Sequence, residues 1–328
     1  MAAYVFLIKG FADPDCVAEL MKLFQKMTGK VLPPLYSDVI AKAVFSADVH
    51  PDRLNFLMRG IAKDPTINVR SSAGNESFRR SVHAKGMVMD IPSWLKDQRA
   101  ADFEVQKVKQ DFIFTRIELY ASDMLLLQYS VTEGQKKGEL DYTDMNEVLL
   151  IVLMVESPQA FTDFDGESDK YIHRFLKMTA DTGLSYPAKA KMIYVQLDKC
   201  LKQFREGRNA EADDGSPDRL QAWLAAIADI NDKKVAEEAE KDEELAVIRK
   251  EAYDMIQDKE VQNMVIQERY DRMDWVTYGN EQMKKGDRQR MEDDAKGMYA
   301  EGIKPDVIAR IQKVSVDVIE KILGLQQV

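Results

Sequence analysis

Apolar residues recur along this chain at two different periods, and each change of period marks a change of element. Val17, Leu20, Met21, Phe24 and Met27 lie three and four residues apart, as on one face of an amphipathic helix. Asp13-Pro14-Asp15 supplies a cap, a first-turn proline and an acid for the helix dipole, and Gly29 supplies a stop. Pro33-Pro34 then interrupts the chain. A second helix is expected over about Asp38 to Phe45, and a third from near Pro51 carrying Leu54, Phe56, Leu57 and Met58.

The pattern turns to short β-prone runs after Gly60. Thr66 to Arg70 and Ala84 to Ile91 read as strands separated by the polar loop Ser71 to Glu76, and Trp94 to Ala100 reads as a turn. From Asp102 to Lys109 the chain alternates, so that Asp102, Glu104 and Gln106 point one way and Phe103 and Val105 the other. A long amphipathic helix follows, about Phe112 to Ser130. Glu147 to Val155 (EVLLIVLMV) is continuously apolar, as expected of a strand covered on both faces, and Met192 to Leu197 is another strand. Helices and strands in this order predict an α/β sandwich.

Beyond it the pattern is helical. Ser216-Pro217-Asp218 opens a helix carrying Leu220, Trp223, Leu224 and Ile227. A charge-dense stretch from about Asn231 to Gly302 keeps only a thin stripe of Leu245, Ile248, Ala252 and Ile256. Two short helices close the chain. One follows Pro305 with Val307, Ile308 and Ile311, and the other follows Ser315 with Val318, Ile319 and Ile322. The division suggested is an N-terminal helical extension over 1–35, a core over 36–205, and an acidic helical region over 206–328 ending in a helix-turn-helix-like pair.

Charge supports that division. The formal net charge is −10, and 206–328 holds 19 Lys+Arg against 29 Asp+Glu, which leaves residues 1–205 neutral. The core is therefore open to an anionic partner, although tight binding of nucleic acid needs clustered cations. No apolar run approaches the roughly 18–20 residues of a membrane helix, so no membrane partner is expected. The first residues lack the basic region and cleavage site of an export signal. Cys16 and Cys200 form no disulfide framework, and a cytoplasmic location is the expectation.

The chemistry concentrates near residues 90–106. Hydrolysis of a phosphodiester with a divalent ion requires hard oxygen ligands converging on one point, together with an activated water. Asp90 at the end of one strand, with Glu104 and Gln106 on one face of the next, meets that requirement, because adjacent strands lie about 5 Å apart. Asp90 also follows Met87-Val88-Met89, and an acid in an apolar strand is unfavourable unless paired or bound to metal. The bland alternative is a solvated sheet edge with no metal.

These residues fall in an ordered series of motifs. Ser37-Asp38-Val39-Ile40-Ala41-Lys42-Ala43-Val44-Phe45 and His50-Pro51-Asp52-Arg53-Leu54-Asn55-Phe56-Leu57 form the first two. Lys85-Gly86-Met87-Val88-Met89-Asp90 and Phe103-Glu104-Val105-Gln106 are the strand motifs. Arg116 and Tyr120, in an Arg-x-x-x-Tyr pattern, and Lys137-Gly138-Glu139-Leu140-Asp141-Tyr142 follow. The set resembles the PD-(D/E)XK nuclease family transposases, the recombination-promoting nucleases of the Rpn type, well over roughly 36–230 and loosely in the tail.

The resemblance implies a restriction-endonuclease-like mixed sheet flanked by helices, with an all-α tail. It also implies an Mg²⁺- or Mn²⁺-dependent DNA endonuclease linked to transposition or recombination. Asp90 and Glu104 would hold the metal, with Asp38 as a third acid. Gln106 stands where the wider superfamily has lysine. A neutral amide can orient the attacking water but adds no full charge to the transition state, so turnover would be slow unless Lys85 or Lys107 compensates. Lys85, Lys42 and Arg116 are the candidate substrate contacts. Each role has a structural alternative: Asp38 as a helix N-cap, Lys85 as a surface lysine, Arg116 and Tyr120 as a buttress for the sheet. His50, His83 and His173 lack metal-ligand spacing. The competing functional reading is an inactive nuclease fold acting as a scaffold through its tail, whose helices could also join copies of the chain.

Overall fold

The computed structural model describes residues 31–72, 91–136, 141–164 and 169–325. The helix expected from Asp13, most of the run Ala84 to Ile91, and with them Lys85, His83 and Asp90, lie outside the described residues.

Helix α1 (Asp38–Val44) follows Ser37 as its N-cap residue, which places Asp38 inside the first turn rather than at the cap. Helix α2 (Pro51–Ala62) starts on its proline and ends where Lys63 turns left-handed at φ 53°. Three antiparallel strands come next: β1 (Val69–Ser72), β2 (Ile91–Leu95) and β3 (Ala100–Gln106). Trp94 and Leu95, expected in a turn, belong to β2. The reversal is tighter, with Gln98 at φ 68° and the Leu95 amide donating to the Arg99 carbonyl at 2.9 Å.

Helix α3 (Ile113–Lys136) then crosses over the sheet, so that β4 (Val148–Met154) runs parallel to β3. A short α4 (Gln159–Thr162) leads to β5 (Ile172–Thr179) and β6 (Ser185–Gln196). The six strands form one mixed sheet in the order β1-β2-β3-β4-β6-β5, with β6 parallel to β4 and β5 an antiparallel edge. With helices on both faces, this is the restriction-endonuclease-like α/β arrangement the resemblance implied.

Alternation along β3 decides what each face receives. Ala101, Phe103 and Val105 join Leu149, Ile151, Leu153, Ile193 and Val195 in the larger core. That core also takes side chains of α1 and α2 and of four later helices: α5 (Leu197–Glu206), α6 (Arg219–Ala228), α7 (Lys233–Ala239) and α8 (Glu243–Met255). On the opposite face, Ala100, Val148, Leu150, Val152, Met154 and Tyr194 pack with Ile113, Ile117, Tyr120, Ala121 and Met124. All seven residues of β4 are buried, because both faces are covered there.

The charge shift after residue 205 does not coincide with the edge of this packing. Trp223, Leu224, Ile227, Val235, Leu245, Ile248 and Ala252 all lie in the larger core, and the first compact unit runs to Val265. The thin apolar stripe of an acidic segment suffices here because the facing surface is already apolar. Helix α9 (Lys259–Ala300) carries the chain onward. In the second unit, Ile266–Val328, helices α10 (Pro305–Gln312) and α11 (Val316–Leu323) bury Ile308, Ala309 and Ile319 against Ala295. Left-handed Lys313 makes the turn between the two short helices, and Gly324 at φ 69° ends the second.

Candidate functional site

Strand β3 is clamped at its start. On α3, Gln128 occupies a place on the helix's apolar stripe and is 1% exposed. Its amide oxygen accepts from the Ala100 N–H at 3.1 Å, and its nitrogen donates to the Gln98 carbonyl at 2.9 Å. Beside it, the buried Arg99 guanidinium binds Asp64 at 2.9 Å, Asp97 at 2.8 Å and Glu147 at 3.4 Å, tying the β2–β3 turn to the loop before β1 and the approach to β4. A polar residue within an apolar stripe was the legible sign of Gln128. Nothing in the sequence spacing marked Arg99.

From that anchored start, Asp102, Glu104 and Gln106 alternate with core residues and face α3. Their exposures are 0%, 1% and 4%, so the row is buried within the sheet rather than lying along a solvated edge. Arg116, from the second turn of α3, reaches across to it. The guanidinium donates through Nη2 to Glu104 Oε1 and through Nη1 to Gln106 Oε1 at 2.6 Å. On its other side Nε donates to the Tyr120 hydroxyl at 3.1 Å, and the guanidinium carbon sits 5.2 Å from the Tyr120 ring centre. Gln106 is held at both ends of its amide, since its nitrogen donates to the Val108 carbonyl at 2.9 Å. Burial is the main cause that raises the Tyr120 phenol above its ordinary pKa. The negative field of Glu104 adds to this, and Arg116 partly offsets it.

The remaining sequence candidates fall around this row. Asp38 pairs with Lys107 at 2.5 Å, just past the end of β3. Lys42 lies in the last turn of α1, half-buried. Asp90 and Lys85 lie outside the described residues. Asp90 immediately precedes Ile91, whose strand partner is Phe103, the neighbour of Glu104. His50 approaches Glu251 at 3.7 Å, and His173 meets the Gln196 amide oxygen at 2.9 Å. Among the described residues, no group of three or more His, Cys, Asp or Glu is placed to hold a metal ion.

A mixed sheet with a buried Asp-x-Glu-x-Gln row on its third strand, braced by a following helix, is the context in which the sequence motifs acquire meaning. The family model of the PD-(D/E)XK nuclease family transposases matches residues 35–288. The chain belongs to this family. No curated protein and no solved structure matches it. PD-(D/E)XK nucleases generally use divalent metal ions, and membership marks this chain as a nuclease-family protein related to transposition, with DNA as the substrate class. No described helix is long and apolar enough to cross a membrane.

Proposed function

We propose that the chain is a divalent-metal-dependent DNA endonuclease acting in transposition or recombination, with Glu104 and Asp90 as its metal ligands and Mg²⁺ or Mn²⁺ as the ion. The observation carrying this reading is the burial of Glu104. Taking a carboxylate to 1% exposure inside a sheet carries a desolvation cost even when a cation accompanies it, and Glu104 stands where the resemblance puts a metal ligand.

The donor chemistry fits a hard ion: carboxylates in the row, with Asp90 adjacent in sequence to the strand residue paired beside Glu104. When bound, the metal would supply Lewis acidity at the phosphate and lower the pKa of a water. The chain's own residues do the rest. Glu104 would fix the ion's position because the carboxylate is itself fixed. Gln106, in the place of the family lysine, has its amide plane set by Arg116 and Val108. That leaves one acceptor and one donor direction for holding a water. Asp38 is a third ligand in this reading, after exchange of its Lys107 partner. Lys42, Lys85 and Arg116 would meet the phosphate backbone.

Cleavage of supercoiled plasmid with Mg²⁺ or Mn²⁺ tests the reading. Wild type is expected to nick or linearise the DNA. Asp90→Ala and Glu104→Gln should lower the rate by a factor on the order of a hundred or more, as removal of a charged group at the reacting centre does. Absence of cleavage by wild type would remove the hydrolase assignment, and equal cleavage by Glu104→Gln would remove Glu104 from the site.

One observation favours a second reading: Glu104 already carries a cationic partner in Arg116. An inactive nuclease fold serving as an interaction scaffold would show no cleavage. Its biological effect would survive Asp90→Ala but fail with Ile319→Asp, which breaks the α10–α11 pair.

A further inference from the structure

Two of the acids proposed as metal ligands hold basic side chains, Glu104 with Arg116 and Asp38 with Lys107. The two pairs differ in burial. Asp38 and Lys107 are 43% and 21% exposed, so their attraction is diluted by water. The Glu104 side chain is 2% exposed while that of Arg116 is 28% exposed. Thus the acid is sealed, and the arginine paired with it can be reached from solvent.

The shape of the Arg116 contacts matters as much as their charge. One guanidinium spans Glu104 and Gln106, two residues apart on the same strand face, and rests its third nitrogen on the Tyr120 hydroxyl. A planar fork of fixed donors suits this bridging. A divalent ion asks for the same carboxylate through direct oxygen bonds of about 2.0–2.1 Å for Mg²⁺, and a charge-assisted hydrogen bond to Oε1 competes with it for that oxygen.

We propose that Arg116 is the resident counter-cation of the site. It pairs with Glu104 and keeps Gln106 oriented, and an ion that takes Glu104 Oε1 must displace Nη2 from that oxygen. Nη1 and Nε keep their places on Gln106 and Tyr120. This rests on Glu104 being a metal ligand, and it adds a regulatory element to that reading: the chain competes with its own cofactor, so ion occupancy is set by how firmly α3 holds Arg116.

Calorimetric titration of Mn²⁺ into the full-length protein separates the possibilities. Arg116→Gln is expected to bind Mn²⁺ about tenfold tighter than wild type, the scale of losing one competing charged hydrogen bond. Its melting temperature should also rise more on adding Mn²⁺. Lys109→Gln removes an exposed lysine nearby and should leave the affinity within about twofold. Tyr120→Phe keeps the guanidinium but removes its anchor, and should tighten Mn²⁺ by about twofold to fivefold even if Arg116→Gln fails to fold. Unchanged or weaker binding in both Arg116→Gln and Tyr120→Phe overturns the counter-cation role while leaving the metal site intact. So does equal tightening in Lys109→Gln, which would indicate a general field effect. Absence of Mn²⁺ binding in wild type and variants alike overturns both this proposal and the metal reading.

Discussion

Glu104 and Arg116 form an ion pair whose members have unequal access to water, and the inequality predicts unequal consequences of losing either one. Removing the guanidinium takes a charge-assisted hydrogen bond from a sealed carboxylate. Removing the carboxylate leaves an arginine that water can still solvate in part. Arg116→Gln should therefore destabilise the metal-free protein by about 2 kcal/mol or more, and Glu104→Gln by about 1 kcal/mol, as read from urea unfolding midpoints. Asp242 offers a pH-dependent counterpart away from the site. It accepts from Arg219 Nε at 2.7 Å, from Trp223 Nε1 at 3.0 Å and from the Leu245 amide at 3.1 Å while capping α8. The Arg219 hydrogen bond above all holds its pKa down at about 2. Because the folded value lies below the ordinary one, this stability is complete above about pH 4 and fades as pH falls through 2. Arg219 is half exposed, so screening reduces the contribution to about 1–2 kcal/mol. Asp242→Asn should flatten the acid limb of a stability-against-pH curve by that amount between pH 4 and 2. These partners were only partly legible in the sequence. Arg116 and Tyr120 stand four apart on one helix and were visible as a pair, but their engagement with Glu104 and Gln106 joins two elements, and no spacing rule links them.

Elements buried on both faces were the most legible. Seven apolar residues in succession admit few alternatives, and β4 runs over Val148–Met154 as its composition demands. Ile151→Ala, which empties part of that fully buried layer, should cost about 2–5 kcal/mol by thermal or urea unfolding. Edge elements were opaque for the converse reason. In β5 the burial along Ile172–Thr179 declines from a buried isoleucine to exposed Lys177, Met178 and Thr179, so it shows no alternation and went unpredicted. Helix α5 was missed because no glycine or proline separates it from β6. Gln196 ends the strand and Leu197 begins the helix, and the amphipathic set Leu197, Cys200, Leu201 and Phe204 appears only once that junction is known. The turn of the meander is narrower than the sequence suggests, since Trp94 and Leu95 pair with β1 and β2 pairs with β3 through Trp94. The shared face of Asp102, Glu104 and Gln106, in contrast, followed from strand period alone and is the face that meets α3.

At the scale of the whole chain, net charge and packing follow different boundaries. The acidic excess begins near residue 206, yet the first compact unit continues to Val265 because α6, α7 and α8 complete the core beneath the sheet. Charge reports on the solvent-facing side of those helices, whereas core membership depends on a few apolar positions that composition averages away. The family match, over 35–288, likewise passes well beyond the sheet and includes these helices. What the chain does depends on whether the buried row on β3 binds a divalent ion. Stoichiometric Mn²⁺ binding to the full-length protein, followed by titration calorimetry, is the most direct test. The expected result is saturable binding that is lost in both Asp90→Ala and Glu104→Gln. Saturable binding that persists undiminished in both variants would contradict it.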